Sequence, residues 1–125
     1  MLQALVQPDL EVRLTEALPW VLCTYPDLGW PWLADQVKLK DAQNRLGFLV
    51  GVAKGVTESK HGTALELLSA AEATLEHSRL AREDTLCRDS MPDAERRWLK
   101  INRSPLAQHW NLLTGMTAEQ LSYGA

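Results

Sequence analysis

The sequence predicts an all-α fold, a single compact bundle of five to seven helices in one domain covering residues 1–125. Apolar residues recur at steps of three and four along most of the chain. Capping residues stand at the starts of several of those runs, and turn signals rich in proline and glycine separate them. A chain of 125 residues buries roughly two thirds of its unfolded surface, enough for a core of its own.

The first run is Leu10, Leu14, Ala17, Leu18, Val21, Leu22 and Tyr25, an amphipathic helix. Pro19 lies inside it and removes the amide that would bond the carbonyl of Thr15, so a kink or restart is expected there. The stretch TYPDLGWP ends the run, and Pro31 suits the first turn of a short second helix bearing Trp32, Leu33 and Val37. A lysine-rich corner follows, with Leu39 inside it. Asp41 is the expected N-cap of a third helix striped by Ala42, Leu46, Leu49, Ala53 and Val56. Residues 31–56 therefore read as helix, corner, helix. A buried strand at LGFLVGV competes with this, but the stripe continues on both sides of the glycines. Gly47, Gly51 and Gly55 stand four apart and form a flat ridge that another helix is expected to approach closely.

TESKHGT reads as a loop. A long central helix is expected from Thr63 to about residue 87, striped by Ala64, Leu68, Ala71 and Leu75. Its second half, HSRLAREDTLC, is much more polar and should project beyond the core or pack on a partner. Ser90 with Asp93 resembles a capping box for PDAERRWLKIN. Ser104-Pro105 opens LAQHWNLL, which Gly115 ends. Thr117 with Gln120 caps a last short helix. The expected core is Leu14, Leu18, Val21, Leu46, Leu49, Ala53, Leu68, Leu75, Leu99 and Leu112. The five tryptophans, at positions 20, 30, 32, 98 and 110, are expected mostly in the core or at its rim.

Composition narrows the function. A net charge of −3 gives no broad positive field for indiscriminate nucleic-acid binding, yet permits a local basic patch. Cys23 and Cys87 are too few and too far apart for a disulfide framework, which favours a reducing cytoplasm. MLQALVQPDLEVRL has neither a basic start nor a long apolar centre, so no secretory signal is expected, and no stretch is apolar enough to span a membrane. His61, His77 and His109 are scattered and neither cysteine has a second ligand nearby, so no metal, cofactor or catalytic site is expected.

The helix-corner-helix is the leading functional feature. Gln43 and Asn44 are the residue types that pair bidentately with adenine, and Arg45 is the type that pairs with guanine. Lys38 and Lys40 are placed for phosphates. These five define a candidate DNA-contact surface of a helix-turn-helix-like regulator, although the corner lacks a glycine and the buried positions of the second helix arrive late. So few basic contacts would require a dimer or an assembled partner to supply a second half-site. The second candidate is Arg96, Arg97, Trp98 and Arg103, a protein-partner surface built from the usual interface anchors. Together they suggest a small cytoplasmic, antitoxin-like repressor that binds DNA and a protein. The alternative is a non-catalytic adaptor without DNA contact.

Overall fold

The computed structural model describes residues 1–57 and 63–123. Among them the chain forms α1 (Leu2–Leu5), α2 (Val12–Thr24), α3 (Trp30–Leu39), α4 (Gln43–Thr57), α5 (Thr63–Glu76), α6 (Asp93–Asn102), α7 (Pro105–His109) and α8 (Ala118–Tyr123). Two-residue strands β1 (Asp84–Thr85) and β2 (Leu112–Leu113) pair in parallel, Asp84 opposite Leu112. The fold is thus all-α, and the segment around Leu46–Val52 is helical. Helix α4 is its axis. Leu46, Phe48, Leu49, Val50, Val52 and Ala53 are all fully buried, which takes in every side of the helix. Helices α5, α2 and α8 pack around it.

The glycine ridge admits that packing. A Cβ on Gly47 would meet the Trp110 indole, one on Gly51 the methyls of Leu106, and one on Gly55 the Cβ of Ala118. The ridge is therefore the seat of Trp110, α7 and α8. Trp110 is itself a core residue, 1% exposed.

The corner between α3 and α4 solves its missing glycine in an informative way. Ala42 N–H donates to the Val37 carbonyl at 2.8 Å and Asp41 N–H to the Lys38 carbonyl at 3.3 Å. That pair of bonds is a Schellman motif, and its left-handed position is held by Asp41 at φ 54°. Aspartate tolerates this region better than most residues. Asp41 thus closes α3 and is not the N-cap of α4. The Ala42 carbonyl instead accepts the first bond of that helix, from Leu46 N–H.

Several expectations are corrected. The long central helix stops at Glu76. HSRLAREDTLC does not project outward. It folds back beside the start of α4 and buries Thr85, Leu86 and Cys87. Helix α2 runs through Pro19 without a restart, and it faces the core with Thr15, Leu18, Pro19 and Leu22. Leu14 and Val21, expected in the core, are 53% and 37% exposed, because the buried face is centred on Thr15, Leu18, Pro19 and Leu22 and leaves these two at the edge of the apolar stripe. Ser90 does not cap α6: its N–H and hydroxyl both donate to Asp9, and Pro92 holds the N-cap position without a side-chain bond. The run after Ser104 is helical only to His109, since Leu112 and Leu113 pair with β1. The Ser104 and Thr117 caps do form, accepting from Ala107 N–H and Gln120 N–H. TESKHGT lies mostly outside the described residues.

Two exposed carboxylates pin the ends of the fold. Asp9 accepts from Ser90, which holds it below the usual carboxylate value of 3.8. Glu76 meets His109 Nε2 at 2.6 Å, and that bond, with Arg79 beside it, holds Glu76 below 4.5. Both folded-state values are depressed. Their stabilisation is therefore complete above the unfolded values and is lost as pH falls through the lower, folded ones. Melting temperature measured against pH should stay level, as far as these groups contribute, down to about 4.5 and decline below it. Glu76→Gln should flatten part of that decline. An unchanged acid limb would show that the contact contributes nothing.

Candidate functional site

The first turn of α4 carries the three residues that sequence reading aims at DNA, and all three point into the protein. Gln43, Asn44 and Arg45 are 4%, 2% and 8% exposed. Gln43 Nε2 donates to the Ser78 carbonyl at 3.0 Å. Asn44 Nδ2 donates to the carbonyls of Leu80 and Trp110 at 2.9 and 2.8 Å, and its Oδ1 accepts from Leu80 N–H at 2.8 Å.

Arg45 is the centre of the group. Its Nε and Nη2 grip both oxygens of Asp84 at 2.9 and 3.1 Å, a bidentate pair. Nη1 donates to the Leu5 and Gln7 carbonyls at 2.8 and 3.2 Å, and it lies 3.8 Å from Cys87 Sγ. Burial works to lower the Arg45 pKa, but Asp84, with Cys87 and Asp89 adding to it, outweighs burial and holds the guanidinium above its ordinary value. The cation is therefore permanent and internally neutralised.

These side chains suit both tasks, because an amide or guanidinium meets a peptide carbonyl or carboxylate with the same geometry as a base edge. The fold commits them inward, so they are not available to a DNA groove. Lys38 and Lys40 stay exposed at the corner, Lys38 in a loose 3.7 Å pair with exposed Asp35. The five anticipated DNA-contact residues are thus split: two lysines outside, three polar residues inside.

Asn44 gives a direct test of the inward assignment. Asn44→Ala leaves Leu80 N–H without its partner, and a buried unsatisfied group costs about 1–3 kcal/mol. Hydrogen exchange of the Leu80 amide should quicken markedly in the variant, with the loop rather than all of α4 loosening. Unchanged protection at Leu80 would rule out the clamp.

The second anticipated surface is also divided. Arg96 donates to the carbonyls of Met91 at 2.9 Å and Asp89 at 2.7 Å, stitching α6 to the loop before it. Arg103 donates to the Leu112 carbonyl at 3.1 Å and ties the end of α6 to β2. Arg97 and Trp98 do face solvent, Trp98 at 60% exposure. They continue into a stripe that sequence reading missed. Ala94, Arg97, Trp98 and Ile101 follow the 0, 3, 4, 7 spacing of one helical face, and Ile101 is 84% exposed. The only buried residue of α6 is Leu99. The spacing itself was a readable signal. What sequence could not show is that this stripe turns outward.

A cleft of about 280 Å³ opens beside α6, between it, the start of α2, residues 86–91 and the approach to α8. Val12, Leu86, Met91, Leu99, Met116 and Leu121 supply the apolar part of its walls, and Thr15, Thr114 and Gln120 add polar groups. Glu16 and the ion-paired Arg88 and Glu95 supply charge at its edge. Cys87 also lines it. Burial pushes that thiol up in pKa, the reverse of an activated nucleophile. Neither Cys23 nor Cys87 forms a disulfide.

Among the described residues no cluster of histidine, cysteine and carboxylates could hold a metal ion, and His61 lies outside them. No described helix is long and apolar enough to cross a membrane. Comparison with protein-family models, with curated proteins and with solved structures finds no match.

Proposed function

We propose that this chain is a non-catalytic, cytoplasmic protein-interaction domain that docks a partner on the outward face of α6 and the cleft beside it. One observation carries the reading: an amphipathic helix places Trp98 and Ile101 on its exposed side while burying only Leu99. Leaving a tryptophan and an isoleucine in water forgoes the roughly 1.5–3 kcal/mol that burying each large apolar side chain can contribute. A neighbouring exposed arginine and an adjoining cleft with a partly apolar lining complete the chemistry of an interface centre. Helix-in-groove recognition uses this same spacing of anchors.

The test is photo-crosslinking in cells with a reactive phenylalanine analogue in place of Trp98 or Ile101, and of exposed Glu66 on α5 as the control. Protein adducts are expected at 98 and 101 and not at 66. Their absence at both α6 positions overturns the proposal. The DNA-reading repressor would take its place if the protein then shifts duplex DNA at low salt and Lys40→Ala weakens the shift.

A further inference from the structure

Resting on that reading, we infer that the partner is a second copy of this chain. The two α6 helices then lie antiparallel about a two-fold axis, and Trp98 of each enters the cleft of the other. Three features of α6 support this occupant.

The first is symmetry. Ala94, Arg97, Trp98 and Ile101 read the same under chain reversal, as 3, 1, 3. Antiparallel pairing therefore sets Ala94 against Ile101 and Arg97 against Trp98, small against large and cation against indole. The second is charge. Exposed Asp93 begins the helix, whereas exposed Arg97 and Lys100 follow one and two turns later on the same flank. Reversal brings Asp93 of each copy within reach of Arg97 and Lys100 of the other. Lys100 is free to respond, since its contact with Glu83 is loose at 3.7 Å and it is 68% exposed.

The third is the fit of anchor to cleft. Glu95 and Leu99 line the cleft, and Trp98 stands on the flank of the helix next to Glu95, one turn on. Antiparallel helices pack like flank on like flank, which carries Trp98 of the second copy toward that opening. At about 280 Å³ the cleft falls just below the roughly 300–1,000 Å³ of small-molecule sites, a size suited to one large side chain. A ten-residue helix is only about 15 Å long. The interface is therefore small, and the dimer should be weak, half-formed on the order of tens of micromolar.

Sedimentation equilibrium from about 1 µM to 1 mM reads the association. Wild type should pass from monomer to dimer, and Trp98→Ala should weaken dimerisation at least tenfold with its helical spectrum unchanged. The arrangement has its own test. Asp93→Lys and Lys100→Asp should each impair self-association by creating two like-charge contacts. An equimolar mixture of the two variants should recover it, because both contacts become opposite in sign in the mixed dimer. A monomer throughout the range, a dimer indifferent to Trp98→Ala, or a mixture no tighter than its components overturns the inference. The crosslinking result separates the failures. A monomer whose position 98 couples to a different protein loses the second copy but keeps the docking face, and a monomer with no adduct loses both.

Discussion

Arg45→Ala should destabilise the domain by about 3–5 kcal/mol, the largest loss expected from any single substitution considered. Breaking a buried ion pair from one side costs this much because the other side keeps its charge and loses its partner. The partners here are Asp84, half-buried, and two main-chain carbonyls near the end of α1. Removing the guanidinium frees Leu2–Leu5, the 84–89 loop and the thiol of Cys87 together. Urea denaturation should show a lower midpoint, with the slope preserved if the rest unfolds as one unit. Arg45→Lys should recover little, because an ammonium is a point charge and does not reproduce the planar fork that grips both oxygens of Asp84. A loss below 1 kcal/mol for Arg45→Ala would mean that water already reaches this cluster. Cys87 offers a second readout, since its thiol should become accessible to alkylating reagents in the variant while remaining shielded in the wild type.

Gly47→Ala is the second large effect, and its sign runs against helix propensity. On a solvated helix the change would stabilise by about 1 kcal/mol. Here the new Cβ would stand 2.6 Å from Trp110 Cζ2 and Cζ3, and closer still to Cη2. The indole is 1% exposed and has nowhere to retreat without displacing β2 or α7. Overpacking of this kind costs about 1–3 kcal/mol, so a net loss of about 1–2 kcal/mol is expected in thermal or urea melts. Gly51→Ala should be milder, because the atoms it meets are the flexible ends of Leu106 and Glu72. Gly55→Ala meets the Cβ of Ala118, which moves only if α8 moves. The expected order of damage is therefore Gly47, then Gly55, then Gly51. A Gly47→Ala protein melting above wild type would show that Trp110 is not seated against α4. Asn44 holds the carbonyl of the same tryptophan, so Asn44→Ala and Gly47→Ala together should depart from additivity.

The sequence by itself determined what depends on residues a few positions apart. The stripe through Leu46, Leu49 and Ala53 required a buried helix, the glycines four apart required a close neighbour, and Ser104 with Pro105 required a helix start. Each is a local rule of geometry or hydrogen bonding. The tertiary structure alone decided which of two adequate partners a residue takes. Helix α2 carries Leu14, Leu18, Val21 and Leu22 in one apolar stripe, and its periodicity does not show that the buried face is rotated toward Thr15 and Pro19, which leaves Leu14 and Val21 at the wet edge. On α6 the same ambiguity runs the other way, leaving Trp98 and Ile101 outside. Gln43, Asn44 and Arg45 have the hydrogen-bonding groups for a base edge and equally for a carbonyl or carboxylate. Most of their partners lie 35 to 44 residues on in sequence, on a loop whose own pattern pointed outward, and the rest are the carbonyls of Leu5, Gln7 and Trp110. Only the return of that loop, closed by Asp84, Leu80 and the parallel pairing with Leu112, turned a plausible reading surface into the internal brace of the fold.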